Sequence, residues 1–178
     1  ELKVQNAIKN YGELNIATVG IGYPTDFGIN SEKDGYYGWS AECHVDINCI
    51  TDPEVQLQKY STCRLIIERQ SSKLRCTGTL LNNTSGNGIP YVLTAGHCVT
   101  DMYSANRTVF YFDYESPYCN GPDGQIKSIS GSELVSRADN LDFALLELFE
   151  KPPIDYNPVY SGWDATGSVF DSCYSIHH

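Results

Sequence analysis

Residues 76–81 read CTGTLL and residues 92–98 read VLTAGHC, and these two stretches decide the fold. Each contains a short apolar run typical of a buried strand, and residues 82–88 between them, NNTSGNG, have the composition of a turn. The two runs are therefore predicted to be neighbouring strands of one sheet. Gly78 takes a close-packing position in the first strand, and the second strand leads directly into His97.

The same pattern of short strands separated by turn residues continues on both sides of this pair. Strands are predicted at residues 62–70, 75–82, 91–95, 108–114, 127–136, 143–148 and 169–176. The one helical candidate is a short turn just after His97, and prolines break the chain after residue 148. Many short strands with frequent turns favour an all-β barrel or sandwich.

The composition restricts the function. The 178 residues are 41% hydrophobic, so they can form a packed core, and the formal net charge is −10. Such a charge opposes binding to nucleic-acid phosphates and to anionic membranes, and both are excluded as expected partners. The sequence contains no apolar run of the length that a membrane-spanning helix needs.

Seven cysteines are typical of a secreted protein with disulfides. They do not form the close CxxC pairs of a structural zinc site. Cys76 and Cys98 flank the two diagnostic strands, and they are predicted to pair. An odd count leaves at least one cysteine unpaired within this sequence, either as a free thiol or with a partner elsewhere.

His97 is the first candidate catalytic residue. A serine hydroxyl is a weak nucleophile at neutral pH and needs a base held within hydrogen-bond reach. Histidine suits this role because its ordinary pKa, about 6.5, lies near neutrality. The alternative is an ordinary histidine beside a structural cysteine.

Asp142 is the second candidate, in residues 140–148, NLDFALLEL, where an acid opens an apolar strand. Such an acid can orient the imidazole of His97 and stabilise its charged form. The alternative is an exposed aspartate that caps a strand. Asp139 is the nearest competitor, but no apolar strand follows it directly. No serine lies in a glycine-flanked turn that could build an oxyanion hole, so the sequence supplies no nucleophile.

The two runs around His97 and the run after Asp142 resemble those of trypsin-fold serine peptidases. Three further stretches are similar to segments of bacterial lysyl endopeptidases: residues 43–49 (CHVDINC), 160–164 (YSGWD) and 175–178 (SIHH). The resemblance extends from about residue 43 to residue 178 and covers the N-terminal half of that peptidase domain.

The resemblance implies an all-β fold with a trypsin-like (chymotrypsin-type) six-stranded antiparallel barrel and a truncated second barrel. Residues 1–40 are then an N-terminal extension, and residues 41–150 are the first barrel, which carries His97 and Asp142. Residues 151–178 are the inter-barrel connection and the first strand of the second barrel.

The resemblance also implies a disulfide framework. Its bridges are Cys49–Cys119 and Cys76–Cys98, with Cys43 bonded to a cysteine of the second barrel. Cys63 and Cys173 depart from the family pattern, and a bridge between them is the remaining possibility.

The function implied is that of a secreted or periplasmic serine endopeptidase that acts on proteins or peptides without a cofactor. His97 would be its general base and Asp142 would orient that base, with lysine preference as the subfamily's habit. Trp163 would lie near the substrate cleft; the equal alternative is a packed core tryptophan.

Two other functions compete with this one. The chain could be a catalytically inactive, protease-like binding module. It could also be a zinc protein that uses His97 and Cys98, although consecutive residues do not easily reach one ion.

Overall fold

In the computed structural model, which describes residues 43–70, 72–168 and 171–178, the chain forms one seven-stranded antiparallel sheet. The strands are β1 (Thr62–Glu68), β2 (Lys73–Leu81), β3 (Tyr91–Ala95), β4 (Val109–Phe112), β5 (Lys127–Ser130), β6 (Ser132–Ala138) and β7 (Phe143–Leu148). Their order is β5-β4-β1-β2-β3-β7-β6. The extension predicted at residues 1–40 lies outside the described residues.

The two edge strands, β5 and β6, are separated in sequence by Gly131 alone. The N–H of Gly131 donates to the carbonyl of Thr108 before β4 (2.8 Å), and its carbonyl accepts from the N–H of Phe149 after β7 (3.3 Å). The edges of the sheet are therefore joined, and the sheet closes on itself. Counted as one bent strand, β5 and β6 give the six strands of the predicted barrel, so the all-β fold is confirmed.

Gly131 makes this bend possible. Its φ is +83°, a left-handed conformation that glycine adopts without steric cost. A Cβ at this position would lie 2.6 Å from Cδ2 of Phe149. The sequence pattern predicts a single strand at residues 127–136, whereas the structure divides it between both edges of the barrel.

The core lies inside this barrel. Alternate residues of β1, β4 and β7 point inward because successive side chains of a strand face opposite sides. The largest completely buried apolar side chains are Phe110, Phe112, Leu65, Ile67, Leu80 and Leu146. Burial of each contributes about 1.5–3 kcal/mol relative to exposure.

Among the described residues, two short α-helices lie outside the sheet: α1 (Pro53–Gln58) and α2 (Met102–Asn106). The helix α1 is absent from the sequence-based assignment, although Asp52 and Pro53 carry its start signal. The carboxylate of Asp52 accepts from the N–H groups of Glu54 (2.9 Å) and Val55 (3.3 Å). Within the described ranges, neither helix is long or apolar enough to cross a membrane.

The Cys49–Cys119 bridge forms as the resemblance implies, across a sequence separation of 70 residues. It fastens the segment before β1 to the loop after β4. The side-chain amide of Asn48 adds bonds to the carbonyl of Ser116 (2.6 Å) and the carboxylate of Glu115 (3.0 Å).

The Cys63–Cys173 bridge does not form. Cys63 is completely buried in β1, where its thiol donates to the carbonyl of Gly78 at 3.5 Å, whereas Cys173 is exposed. Burial raises the pKa of the Cys63 thiol and keeps it in the protonated, unreactive form. Cys43 is exposed and also unbridged within the described residues.

The strand predicted at residues 169–176 is also not found. Residues 171–178 have no strand structure, and residues 169–170 lie outside the described residues. Just beyond the predicted strand, the N–H of His178 donates to a side chain, Oγ1 of Thr77, at 2.9 Å.

Gly78 lies where β2 packs against its neighbours, as the sequence predicts. A Cβ there would lie 2.7 Å from Cγ1 of Val92 and 2.8 Å from Cδ1 of Leu65, two completely buried residues. The Gly78→Ala variant is therefore expected to overpack the core and to lower the free energy of unfolding by about 1–3 kcal/mol.

Urea unfolding of the purified protein measures this effect. Gly162→Ala is the matched control because a Cβ at Gly162 meets no atom within 4 Å and its φ is not left-handed. The control should change the free energy of unfolding by less than about 0.5 kcal/mol. Equal stability of Gly78→Ala and the control would contradict the packing described here.

Candidate active site

The candidate site forms where β3 ends and β7 begins. The two strands pair in antiparallel register, with Ala95 opposite Phe143. The residues just beyond this pair, His97 on one side and Asp142 on the other, are therefore neighbours. Sequence analysis selected both residues, and the structure brings them together.

The carboxylate of Asp142 binds His97 through both of its oxygens. Oδ2 lies 2.7 Å from Nδ1 of the imidazole, and Oδ1 accepts from the backbone N–H of His97 at 2.8 Å. With Nδ1 protonated to donate to this carboxylate, Nε2 has a free lone pair and can accept a proton. This is the arrangement of a general base oriented by an acid.

Gly96 permits the close approach of the two backbones. A Cβ there would lie 3.0 Å from the carbonyl oxygen of Phe143, 3.1 Å from its nitrogen and 3.3 Å from the carbonyl carbon of Asp142. A side chain would push the His97 turn away from the acid. The glycine of the VLTAGHC run is therefore needed to avoid a steric clash, and the sequence pattern alone does not reveal this requirement.

The Cys76–Cys98 bridge fixes the turn to β2, and the pairing predicted from the sequence is confirmed. Because the sulfur of Cys98 is bonded to Cys76, it cannot bind zinc as a thiolate, which argues against the zinc alternative. Within the described part of the chain, no three His, Cys, Asp or Glu side chains lie close enough together to hold a metal ion.

Asp142 has a left-handed backbone, with φ 50° and ψ 47°. It ends a one-turn 3-10 helix, Asp139–Leu141, and its N–H donates to the carbonyl of Asp139 at 3.3 Å. Left-handed conformations of residues other than glycine cost energy and occur often at functional sites. The strand-cap alternative for Asp142 does not account for the two bonds to His97.

The pair is open to solvent. The side chain of His97 is 71% exposed and that of Asp142 is 54% exposed. Solvent screens an ion pair of this kind, so it adds little to the stability of the fold. Its exposure leaves room for a substrate and for a nucleophile to reach the imidazole.

Two arginines that the sequence analysis did not select contact the carbonyls of the His97 turn. Nε of Arg137 donates to the carbonyl of Gly96 at 3.1 Å, and the guanidinium of Arg69 donates to the carbonyls of His97 and Cys98. Neither arginine lies in a recognisable motif, so no sequence signal identifies them.

Asp139, the competing acid, pairs with the guanidinium of Arg137 rather than with His97. Trp163 is 60% exposed and is not packed in the core of the described barrel. Its segment is attached to β2 because the N–H of Ser161 donates to the carbonyl of Leu80 at 2.9 Å.

The chain is similar to several known proteins. A family model described as "Lysyl endopeptidase, C-terminal domain" matches residues 37–178. The lysyl endopeptidase of Pseudomonas aeruginosa is 28% identical over 181 residues, which cover 94% of this chain and 38% of that protein. The chain thus spans well under half the length of this relative.

Two solved structures are also similar. One is a Mycobacterium tuberculosis protein, crystallised as a serine-to-alanine mutant in an inactive form, with 19% identity and a TM-score of 0.36 over 62% of this chain and 42% of that one. The other is a scabies mite inactivated protease paralogue, with 24% identity and a TM-score of 0.35 over 60% of this chain and 40% of that one.

The geometry predicts how Asp142 titrates. The bonds from the His97 side chain and backbone favour the charged carboxylate and lower its pKa below the ordinary value of 3.8. The charged carboxylate that accepts these bonds is therefore present above the lowered pKa and is lost as the pH falls through it. In His97→Ala the side-chain bond disappears, so the pKa of Asp142 should rise towards 3.8.

Carboxyl ¹³C NMR titration of the wild type and the variant measures this shift. Asp164 is the internal control because its pKa is also lowered, in this case by the N–H and hydroxyl of Thr166. Its midpoint should be the same in both proteins. An Asp142 midpoint that does not move would contradict the described bond.

Proposed function

The chain belongs to the lysyl endopeptidase C-terminal domain family, and we propose that it carries the histidine and the aspartate of a serine endopeptidase. The observation that supports this most strongly is the pair of hydrogen bonds that the carboxylate of Asp142 makes to His97, one to the imidazole ring and one to the backbone N–H. This geometry holds the imidazole in one orientation and one tautomer, which are the two conditions that a general base must meet.

In the proposed reaction, Nε2 of His97 takes the proton of a serine hydroxyl as that oxygen bonds to the peptide carbonyl carbon. The negative carboxylate of Asp142 stabilises the imidazolium that forms. His97 then gives this proton to the nitrogen of the leaving amine as the C–N bond breaks. Water releases the acyl group from the serine by the same steps.

The proposal assigns the serine to sequence outside these 178 residues. The Pseudomonas aeruginosa relative is much longer than the region matched here, and a trypsin-fold enzyme carries its serine after the aspartate. The activity is therefore proposed for the whole protein, to which this chain contributes the base and the acid that orients it.

The substrate proposed is a protein or peptide cleaved after lysine. This preference follows from the name of the relative, a lysyl endopeptidase, and from the family model. The formal net charge of −10 favours the approach of basic substrates. Trp163, with 60% of its surface exposed, is proposed as a substrate contact beside the cleft.

The proposed location is outside the cytoplasm. Two disulfides form among the described residues, and disulfides persist mainly in oxidising compartments.

Hydrolysis of a short peptide by the full-length native protein tests the proposal. A substrate with one lysine should be cleaved on the carboxyl side of that lysine, and its alanine counterpart should not. Asp142→Asn is expected to lower kcat by about 10⁴-fold because the imidazole loses its orientation and its charged partner. His97→Ala should lower kcat at least as much.

The controls are His44→Ala and Asp155→Asn, which alter exposed residues that lie outside the proposed site. Both should retain wild-type kcat. If the native protein cleaves no peptide, the inactive binding module becomes the better account. If Asp142→Asn and Asp155→Asn are equally active, the assignment of Asp142 is wrong.

A further inference from the structure

The peptide group between Gly96 and His97 is hydrogen-bonded at both ends. Its carbonyl oxygen accepts from Nε of Arg137 at 3.1 Å, and its N–H donates to Oδ1 of Asp142 at 2.8 Å. One rigid plane therefore connects a guanidinium to the carboxylate of the candidate acid. Neither the family resemblance nor the motif around His97 includes this arginine.

We propose that Arg137 is a positioning residue for the His97–Asp142 pair and acts through the Gly96–His97 peptide. The inference rests on the proposed function, because it concerns the residues that would perform the reaction. Arg137 does not touch the imidazole or the reacting atoms. It fixes the orientation of the peptide whose N–H holds one oxygen of Asp142.

Glycine makes such an anchor necessary. Gly96 is required for close packing against Phe143, but a glycine allows its flanking peptides more rotation than any other residue does. Rotation of the Gly96–His97 peptide would turn the N–H away from Asp142. A charge-assisted bond from Arg137 to the carbonyl opposes that rotation and also polarises the peptide, which strengthens its N–H as a donor.

The sheet directs Arg137 towards this carbonyl. The pairing of β6 with β7 contains a bulge between Leu134 and Ser136, after which Arg137 lies opposite Ala144. Regular pairing continued from Leu134 would place Ser136 opposite Ala144 instead. Because directly opposed residues share a face, the bulge brings Arg137 to the inward face of completely buried Ala144.

Asp139 holds the other side of the guanidinium. It pairs with Nη2 of Arg137, whose side chain is only 24% exposed. Asp139 also begins the 3-10 turn that ends at Asp142, and its carbonyl accepts from the N–H of Asp142 at 3.3 Å. The contacts thus form a ring: Asp142 to the peptide, the peptide to Arg137, Arg137 to Asp139, and Asp139 back to Asp142.

Arg69 supports the same turn in a different way. Its guanidinium donates to the carbonyls of His97 and Cys98, the next two along the chain. These carbonyls belong to peptides whose N–H groups do not contact Asp142, and the N–H of Cys98 donates to Ala95 instead (3.1 Å). Arg69 therefore anchors the turn, whereas Arg137 acts on the bond to the acid.

The test uses Arg137→Met in the full-length native protein, with Arg75→Met as the matched control. Arg75 is exposed on β2, and no hydrogen bond or ion pair links its side chain to the His97 turn. Arg137→Met is expected to lower kcat by about 10–100-fold, because small misplacements of a catalytic group have effects of this size. KM should change by less than about 2-fold, and the control should retain both constants.

A double-mutant cycle separates positioning from general damage. If Arg137 acts through Asp142, then in an Asp142→Ala background Arg137→Met should lower kcat by less than about 2-fold further. An additive loss in that background would overturn the inference. So would an Arg137→Met variant with wild-type kcat.

A spectroscopic readout makes the inference independent of activity. The proton on Nδ1 of His97, bonded to Asp142, should give a resolved low-field ¹H NMR resonance in the wild type and in Arg75→Met. In Arg137→Met it should broaden or move upfield. A resonance that stays unchanged would overturn the inference, even if the protein is an active peptidase.

Asp139→Asn covers the case in which Arg137→Met does not fold, because Asp139 is 76% exposed at its side chain and tolerates substitution better. It should shift the same resonance in the same direction, and an unchanged resonance would overturn the inference. A wild-type protein without peptidase activity would contradict the proposed function alone, since the NMR comparison still decides the role of Arg137.

Discussion

The carboxylate of Asp142 binds His97 twice, once at the imidazole and once at the backbone N–H. Both bonds can form only if the two backbones lie against each other. The pairing of β3 with β7 provides this proximity by placing Ala95 opposite Phe143. Gly96 then allows a contact that a side chain would prevent. The closed barrel and the Cys76–Cys98 bridge hold this arrangement, since the solvent-exposed pair contributes little stability of its own.

Much of this arrangement could be predicted from the sequence, because its causes are local. Alternation of apolar residues and turn composition locate the strands of the barrel except the division between β5 and β6. The resemblance of the runs around His97 and Asp142 to those of trypsin-fold peptidases identifies the pair. The position of Cys76 and Cys98 on adjacent elements predicts their bridge. Each of these signals depends on a few neighbouring residues and on the period of a strand, so a single sequence contains it.

The remaining features depend on contacts between distant residues. Gly131 reads as part of one strand, yet the barrel bends there because Phe149 and Thr108 approach it from two sides. Cys63 looks available for a bridge until its burial in β1 is known. Arg137 has no motif, and a bulge in β6 decides which face it occupies. Helix α1 differs from these, because its capping signal was present in the sequence.

The central claim is that His97 and Asp142 activate a serine of the full-length protein. Covalent labelling with a serine-directed fluorophosphonate, followed by mass spectrometry, tests it directly, because only an activated hydroxyl attacks such a reagent at a useful rate. The account predicts one phosphonylated serine in the native protein and a loss of labelling in His97→Ala. Absence of a labelled serine in the native protein, or equal labelling rates with and without His97, would contradict it.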